Sequence, residues 1–197
     1  MKSLIIKANP SKTSFSHSLA EAYKDGGTQA GKEVEILDLY DVDQPFLRYE
    51  STEALKQWNI QSDTTQTTMI QQKITDCDEM VYIFPIRWGG VPAILKNFFD
   101  SNLSAGFAFN FVKWSNKQEK LLTDKTAKIF THCDAPAFLY SFSLISGINI
   151  KNYLKRMILW FCGIKVTEYS IMGKLRDSSQ EKKEAHLKEV RASWARM

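Results

Sequence analysis

The stretch FPIRWGGVPAILKNFFD, Phe84–Asp100, decides how the rest of the chain is read. Its front end completes EMVYIFP, Glu79–Pro85, an apolar run of the kind buried on both faces of a sheet. Its back end is helical: Pro92 suits a first turn, and Ile94, Leu95, Phe98 and Phe99 fall on one face. Between strand and helix stand Arg87, Trp88, Gly89 and Gly90. Glycine lets a backbone approach a ligand closely or take positive φ, and Trp88 offers a broad apolar face. Two readings fit this segment. One is a flat aromatic ligand lying against bare main-chain N–H groups; the other is a tight turn whose Trp packs on its own helix.

Working outward, strand and helix signals alternate. Ser3–Ala8 is a short apolar strand, and a helix follows from about Ser16 to Ala30, ending near Gly31. EVEILDLY, Glu33–Tyr40, reads as a second strand, the stretch 41–63 as a polar loop, and Thr64–Cys77 as a polar helix. TAKIFTH, Thr126–His132, is a fourth strand after EMVYIFP; Ile148–Phe161 is helical, IKVTEYSIM is a fifth strand, and Ser178–Arg196 a charged terminal helix. This alternation predicts an α/β fold: a five-stranded parallel sheet with helices on both faces, formed by one domain over residues 1–197. In such folds ligands sit beyond the carboxyl ends of the strands, near the point where strand order switches. The segments after strands one, three and four are therefore the candidate site.

After strand one, NPSKTSFSHS carries five hydroxyl side chains, Ser11, Thr13, Ser14, Ser16 and Ser18, leading into a helix. A helix N-terminus presents unpaired N–H groups and a positive dipole end, which suits phosphate. Neither GxGxxG nor GxxxxGK[ST] is present, so a dinucleotide Rossmann site and a P-loop are not expected. The same residues also read as ordinary cap chemistry, with Ser16 as the N-cap. After strand four, THCDAP places Thr131, His132 and Asp134 just beyond an apolar strand. A Cys133–His132 nucleophile and base pair is disfavoured, because adjacent side chains rarely face each other and no third orienting group is evident.

Composition narrows the classes. A 44% hydrophobic and 12% aromatic content supports a sizeable core. The net charge of +4, with no run of five like charges, argues against a dedicated nucleic-acid surface and suits anionic small molecules. Cys77, Cys133 and Cys162 are odd in number and lack CxxC spacing, so no disulfide framework or metal site is expected, and each reads as a small buried residue. The N-terminal apolar run is too short for a signal peptide, and nothing approaches the ~18 apolar residues of a membrane span. The expectation is a cytoplasmic protein. His17 and His186, on helices away from the loops, read as surface residues.

The ordered segments ANPSKTSFSHSLA, FPIRWGGVPAILKNFFD, GFAF (Gly106–Phe109) and FCGI (Phe161–Ile164) resemble the flavodoxin-like NAD(P)H:quinone oxidoreductase family over nearly the whole chain. The resemblance implies a flavodoxin-like three-layer sandwich and a tightly bound flavin, FMN with FAD as the alternative. It also implies NAD(P)H as electron donor, ping-pong transfer to a small-molecule acceptor such as a quinone, and a homodimer with sites at the subunit interface. By position, Asn9, Ser11, Thr13, Ser14, Phe15 and Ser16 would hold the phosphate end. Pro85, Ile86, Arg87, Trp88 and Gly89 would line the isoalloxazine ring. Thr131, His132, Cys133 and Asp134 would contact its other edge, with Tyr140 as the catalytic candidate. Trp88 would also meet substrate, together with Phe109 and Phe111 from the partner subunit.

Three features depart from the family pattern. Arg87 stands where many relatives carry an uncharged residue. THCDAP replaces the TTGG of the mammalian-type enzymes, and the His that follows their active-site Tyr has no counterpart, only Ser141, Ser143 and Ser146 being polar between Tyr140 and Gly147. Two further functions fit the same resemblance: a flavin-binding regulatory subunit of an ion-efflux system, and an azo- or nitro-reductase.

Overall fold

The computed structural model describes residues 1–44, 46, 65–112, 117–141 and 149–195. Most of the expected 41–63 loop, together with Thr64, Ser143, Ser146, Ile148 and Arg196, lies outside the described residues. In chain order the strands are β1 (Lys2–Lys7), β2 (Glu33–Asp38), β3 (Glu79–Pro85), β4 (Phe109–Phe111), β5 (Gln118–Lys120), β6 (Thr126–His132) and β7 (Lys165–Met172). The helices are α1 (Phe15–Gln29), α2 (Thr65–Asp76), α3 (Ala93–Asn102), α4 (Phe138–Ser141), α5 (150–162) and α6 (Gln180–Arg191), the last extended by a 3₁₀ turn at Ala192–Ala195.

The main sheet runs β2-β1-β3-β6-β7 and is parallel throughout, as the strand–helix alternation predicts. Every residue of β3 is buried, which is why its sequence is a continuous run and not an alternation. The pleat divides the apolar side chains between two faces. Leu4, Ile6, Met80, Tyr82, Phe84 and Ile129 pack with α2, α3 and α5 residues such as Ile70, Phe98 and Leu154. Ile5, Val81, Ile83 and Phe130 pack with Leu19, Tyr23, Val190 and Trp194 of α1 and the C-terminal elements. The result is three layers. Among the described residues, no helix is long and apolar enough to cross a membrane.

Two elements differ from the sequence reading. The ribbon β4–β5 pairs antiparallel beside the main sheet, and three residues per strand are too few to show a period. Helix α5 opens as α-helix at Ile150–Asn152, passes through seven π-helical residues, Tyr153–Leu159, and closes as α-helix at Trp160–Cys162. All three cysteines are buried and free.

Close approach explains an oddity of α1, the glycine pair in its last turns. A Cβ at Gly26 would stand 2.2 Å from the Arg191 carbonyl oxygen, and one at Gly27 would stand 2.5 Å from the Trp194 ring. The C-terminal segment is also held by a buried polar network at the amino ends of the strands. Lys128 Nζ donates to the Ser193 carbonyl at 2.7 Å and stands 3.7 Å from Glu79. Glu79 in turn accepts from Ser3 Oγ at 3.1 Å and from the Tyr23 hydroxyl. Burial and the Glu79 charge push the Tyr23 phenol far up, so it stays a donor.

Removing one partner of such a network leaves a buried charge uncompensated. Lys128→Met is therefore expected to destabilise the fold by about 3 kcal/mol in urea denaturation. A loss below about 1 kcal/mol would show that the network is not an anchor of the C-terminal segment.

Candidate functional site

The chain runs out from β1 to β2 and returns to β3 on the other side of β1, so strand order switches between β1 and β3. The loops after these two strands meet beyond their carboxyl ends, and Ala8 N–H donates to the Ile83 carbonyl at 2.9 Å.

The loop after β1 is tied at both ends by one buried side chain. Asn9 Oδ1 accepts from the Ser11 N–H at 3.0 Å, and Asn9 Nδ2 donates to Ser16 Oγ at 3.2 Å. The helix cap is Ser14, not the expected Ser16: Ser14 has extended backbone and its Oγ accepts from the His17 N–H at 3.3 Å. Ser16 lies inside the first turn, fully buried, with Oγ 2.8 Å from His132 Nε2. Ser11 and Thr13 are exposed, and their hydroxyls stand 3.2 Å apart. The first turn of α1 has no acidic residue. The neighbouring charges are already matched, since Lys7 and Lys12 each approach Asp38 at 2.6 Å and Lys12 also meets Asp41 at 2.5 Å. Burial pushes the Asp38 carboxyl up, but Lys12 and Lys7 outweigh it and hold the group below its ordinary range. The donors left to face a ligand are neutral ones: hydroxyls and first-turn N–H groups.

After β3, Ile86 N–H donates to the His132 carbonyl at 2.8 Å, and Arg87 and Gly90 then exchange two backbone hydrogen bonds at 3.0 and 2.9 Å. The central residues have φ of 50° at Trp88 and 72° at Gly89, the signature of a type I′ turn. Left-handed backbone costs a non-glycine residue on the order of 1 kcal/mol. Trp88 accepts that cost while fully exposed, at 105% relative accessibility, so its ring packs neither on its own helix nor on the core. Arg87 is exposed as well.

After β6 the side chains turn inward. Thr131 Oγ1 donates to the Phe84 carbonyl at 2.7 Å, and Cys133 Sγ stands 3.2 Å from the Ala135 carbonyl. His132 is buried with its ring edge-on to Phe15 at 5.6 Å. Burial pushes its imidazole down to about 4; Asp134 opposes this, while His186 and Arg87 add to it. His132 and Cys133 thus meet different neighbours, and Asp134, exposed, accepts from the Arg176 N–H at 3.2 Å and from its guanidinium at 3.1 Å. Tyr140 is half-buried in α4; burial pushes its phenol up.

One supporting segment escaped the sequence reading, the loop after β7. Met172 O accepts from Cys133 N–H at 2.9 Å, and Lys174 and Leu175 N–H groups donate to the Ala135 and Cys133 carbonyls, each at 3.0 Å. A Cβ at Gly173 would stand 2.3 Å from the Ala137 nitrogen. A glycine directly after a fifth strand was the available signal. His186 corrects another expectation: it is partly buried, and its ring stacks near Phe15 at 6.2 Å. His17 is also partly covered. Phe109 and Phe111 meet one another at 5.5 Å, and Phe109 meets Phe161 at 4.8 Å. They line a cavity of about 460 Å³ with residues of α3 and α5, including Phe99 and Tyr153.

The family profile for the Flavodoxin-like fold, Flavodoxin_2, matches residues 1–197. The chain belongs to this family. A relative, NAD(P)H dehydrogenase (quinone) 1 of Cavia porcellus, is 30% identical over 184 residues, which cover 85% of this chain. The alignment spans 66% of that relative's length. Among solved structures, Smu.1420 from Streptococcus mutans UA159 matches this Flavodoxin_2 chain with a TM-score of 0.83 at 27% identity, covering 98% of this chain and 97% of the other. An FMN-dependent NADH-azoreductase from Bacillus anthracis, in complex with FMN, shares the fold with a TM-score of 0.79 at 19% identity, covering 100% and 99%.

The neutral His132 carries a pH prediction for this Flavodoxin_2 chain. Its folded pKa, about 4, lies below the unfolded value near 6.5, so the unfolded state binds the proton first. Its contribution is full above about pH 6.5 and is lost as pH falls towards 4, by roughly 3 kcal/mol in all. Urea denaturation at pH 7 and pH 4.5 should show His132→Gln losing less stability on acidification than the parent; an equal loss would place the sensitive group elsewhere.

Proposed function

We propose that this protein is a flavin-dependent NAD(P)H oxidoreductase that passes two electrons to quinones or similar electrophiles. The observation that carries the reading is the post-β3 turn. A strained, fully exposed Trp88 beside glycine-bare backbone has no packing role, and it stands at the switch point next to a loop of neutral anion donors. Family membership and the quinone dehydrogenase relative support the same assignment.

The residues suit FMN. Ser11, Thr13 and Ser14 with the first-turn N–H groups of α1 would hold its phosphate, while Asn9 and Ser16 brace the loop from inside. Ile86, Arg87, Trp88 and Gly89 would carry the ring, with Pro85 as the buried strand end that aims the turn. Thr131, His132 and Cys133 act here through backbone and bracing, since their side chains are engaged within the chain. When bound, the flavin supplies the hydride-accepting and hydride-donating chemistry. The chain's own task is to position donor and acceptor, and Tyr140, a phenol that burial pushes further up, would hold a proton at its Oη. Phe109 and the exposed Phe111 would close the acceptor site of a second subunit, making the working form a homodimer. We place this single-domain protein, residues 1–197, in the cytoplasm.

Reduction of azo or nitro acceptors is a second reading, favoured by the fold shared with the azoreductase. Both share the reductive half-reaction and differ only in acceptor.

Purified protein given excess FMN and desalted should retain bands near ~375 and ~450 nm that bleach with NAD(P)H under anaerobic conditions. Retained flavin that does not bleach would favour the regulatory alternative, and no retained flavin would overturn the reading. Trp88→Ala should weaken flavin retention at least tenfold, while flavin-free stability changes by less than about 1 kcal/mol, because its ring buries nothing. A loss of several kcal/mol without flavin would make Trp88 a packing residue.

A further inference from the structure

A second concave surface lies at the other end of β7. That strand runs from Lys165 to Met172, and Met172 supports the candidate active site while Lys165 borders this cleft. The cleft is about 800 Å³. Four cations line it: Lys120 at the end of β5, Lys155 and Arg156 on α5, and Lys165. Among the described residues no acidic side chain lines it, and none of the four forms a salt bridge. This contrasts with Lys12, Lys73, Lys96, Lys128, Arg176 and Arg191, each of which has a carboxylate partner.

Two apolar side chains stand among these cations. Met157 is 69% exposed and Trp160 is 61% exposed, and Lys120 Nζ sits 3.1 Å from the Trp160 ring centroid. A concentration of unpaired like charges is unfavourable on its own and becomes favourable when an anion enters. A lone inorganic anion would leave Trp160 and Met157 unused. A second copy of this chain docked about a two-fold axis here would set the same four cations against each other.

We infer that this cleft binds a small organic anion with a flat ring, the ring lying against Trp160 and Met157 and the anionic group held by Lys155, Arg156, Lys165 and Lys120. The volume falls within the range of small-ligand sites, and aromatic rings flanked by ammonium and guanidinium groups suit such ions. Two sources carry this chemistry, a nucleotide and an aromatic carboxylate. The site is separate from the proposed flavin chemistry and stands whether or not that reading holds.

The test is isothermal titration of the protein, loaded with FMN and then desalted so that no free flavin competes, using ADP, 2-naphthoate and ring-free inorganic pyrophosphate as probes. One of the two aromatic anions should bind saturably at one site per chain, more tightly than pyrophosphate and more weakly as salt is raised. Lys155→Glu with Arg156→Glu should weaken it by about tenfold or more, as expected when charge-assisted contacts are reversed. Trp160→Ala should weaken it several-fold, and Trp160→Phe should restore most of the loss. These side chains are exposed, and an unchanged far-ultraviolet circular dichroism spectrum will report that each variant is folded. ADP alone would identify a nucleotide site, and 2-naphthoate alone a carboxylate site. Three results would overturn the inference: no saturable binding of either ring-bearing probe, affinity unchanged in the charge-reversal variant, or pyrophosphate binding as tightly as both aromatic anions.

Discussion

Parallel pairing of β3 between β1 and β6 is the constraint from which the other features follow. A parallel pair cannot be closed by a tight hairpin, so each strand must be followed by a crossover that returns the chain to the same starting edge. Helices fill those crossovers and cover both faces, which leaves β3 buried along its entire length. All the loops that leave the strands then emerge at one edge. The switch of direction between β1 and β3 opens a crevice there, flanked by the hydroxyl loop and the Trp88 turn.

Much of this was legible because the deciding signals are local. The run EMVYIFP has the length and composition of a doubly buried strand, and its bounds in the structure are the same, Glu79–Pro85. TAKIFTH behaves likewise. The position of Ser16 was not legible, because any of four serines could cap α1, and the choice rests on where the backbone turns from extended to helical. It turns at Ser14, since Asn9 reaches across the loop and draws the Ser16 hydroxyl inward. The partial burial of His186 was hidden for a different reason. A polar helix shows its surface face in its sequence, but the docking of α6 beside Phe15 depends on glycines in α1, more than 150 residues earlier.

The two edges of the sheet use charge differently. At the amino edge Glu79, Lys128, Tyr23 and Ser3 form a closed buried network that fastens the terminal segment. At the carboxyl edge Lys7 and Lys12 are matched by Asp38 and Asp41, so the unpaired donors that the loop presents are neutral ones. Donors of this kind hold phosphate through aligned dipoles and not through a cation, in the manner of helix N-termini generally.

That choice makes the hydrogen-bond chain Asn9–Ser16–His132 the point where folding and site geometry are one problem. The imidazole is shielded on one side by Phe15 and meets the loop segment through Ser16. A charged ring at this depth would need a hydration shell that the core has no room for, which is why burial keeps it neutral. Protonation therefore acts against the packing around His132, beside which Ser16 lies. Ser16 also holds one end of the Asn9 brace, so the loop and the core share this contact. Acidification reaches the candidate phosphate loop through the stability of the core beneath it.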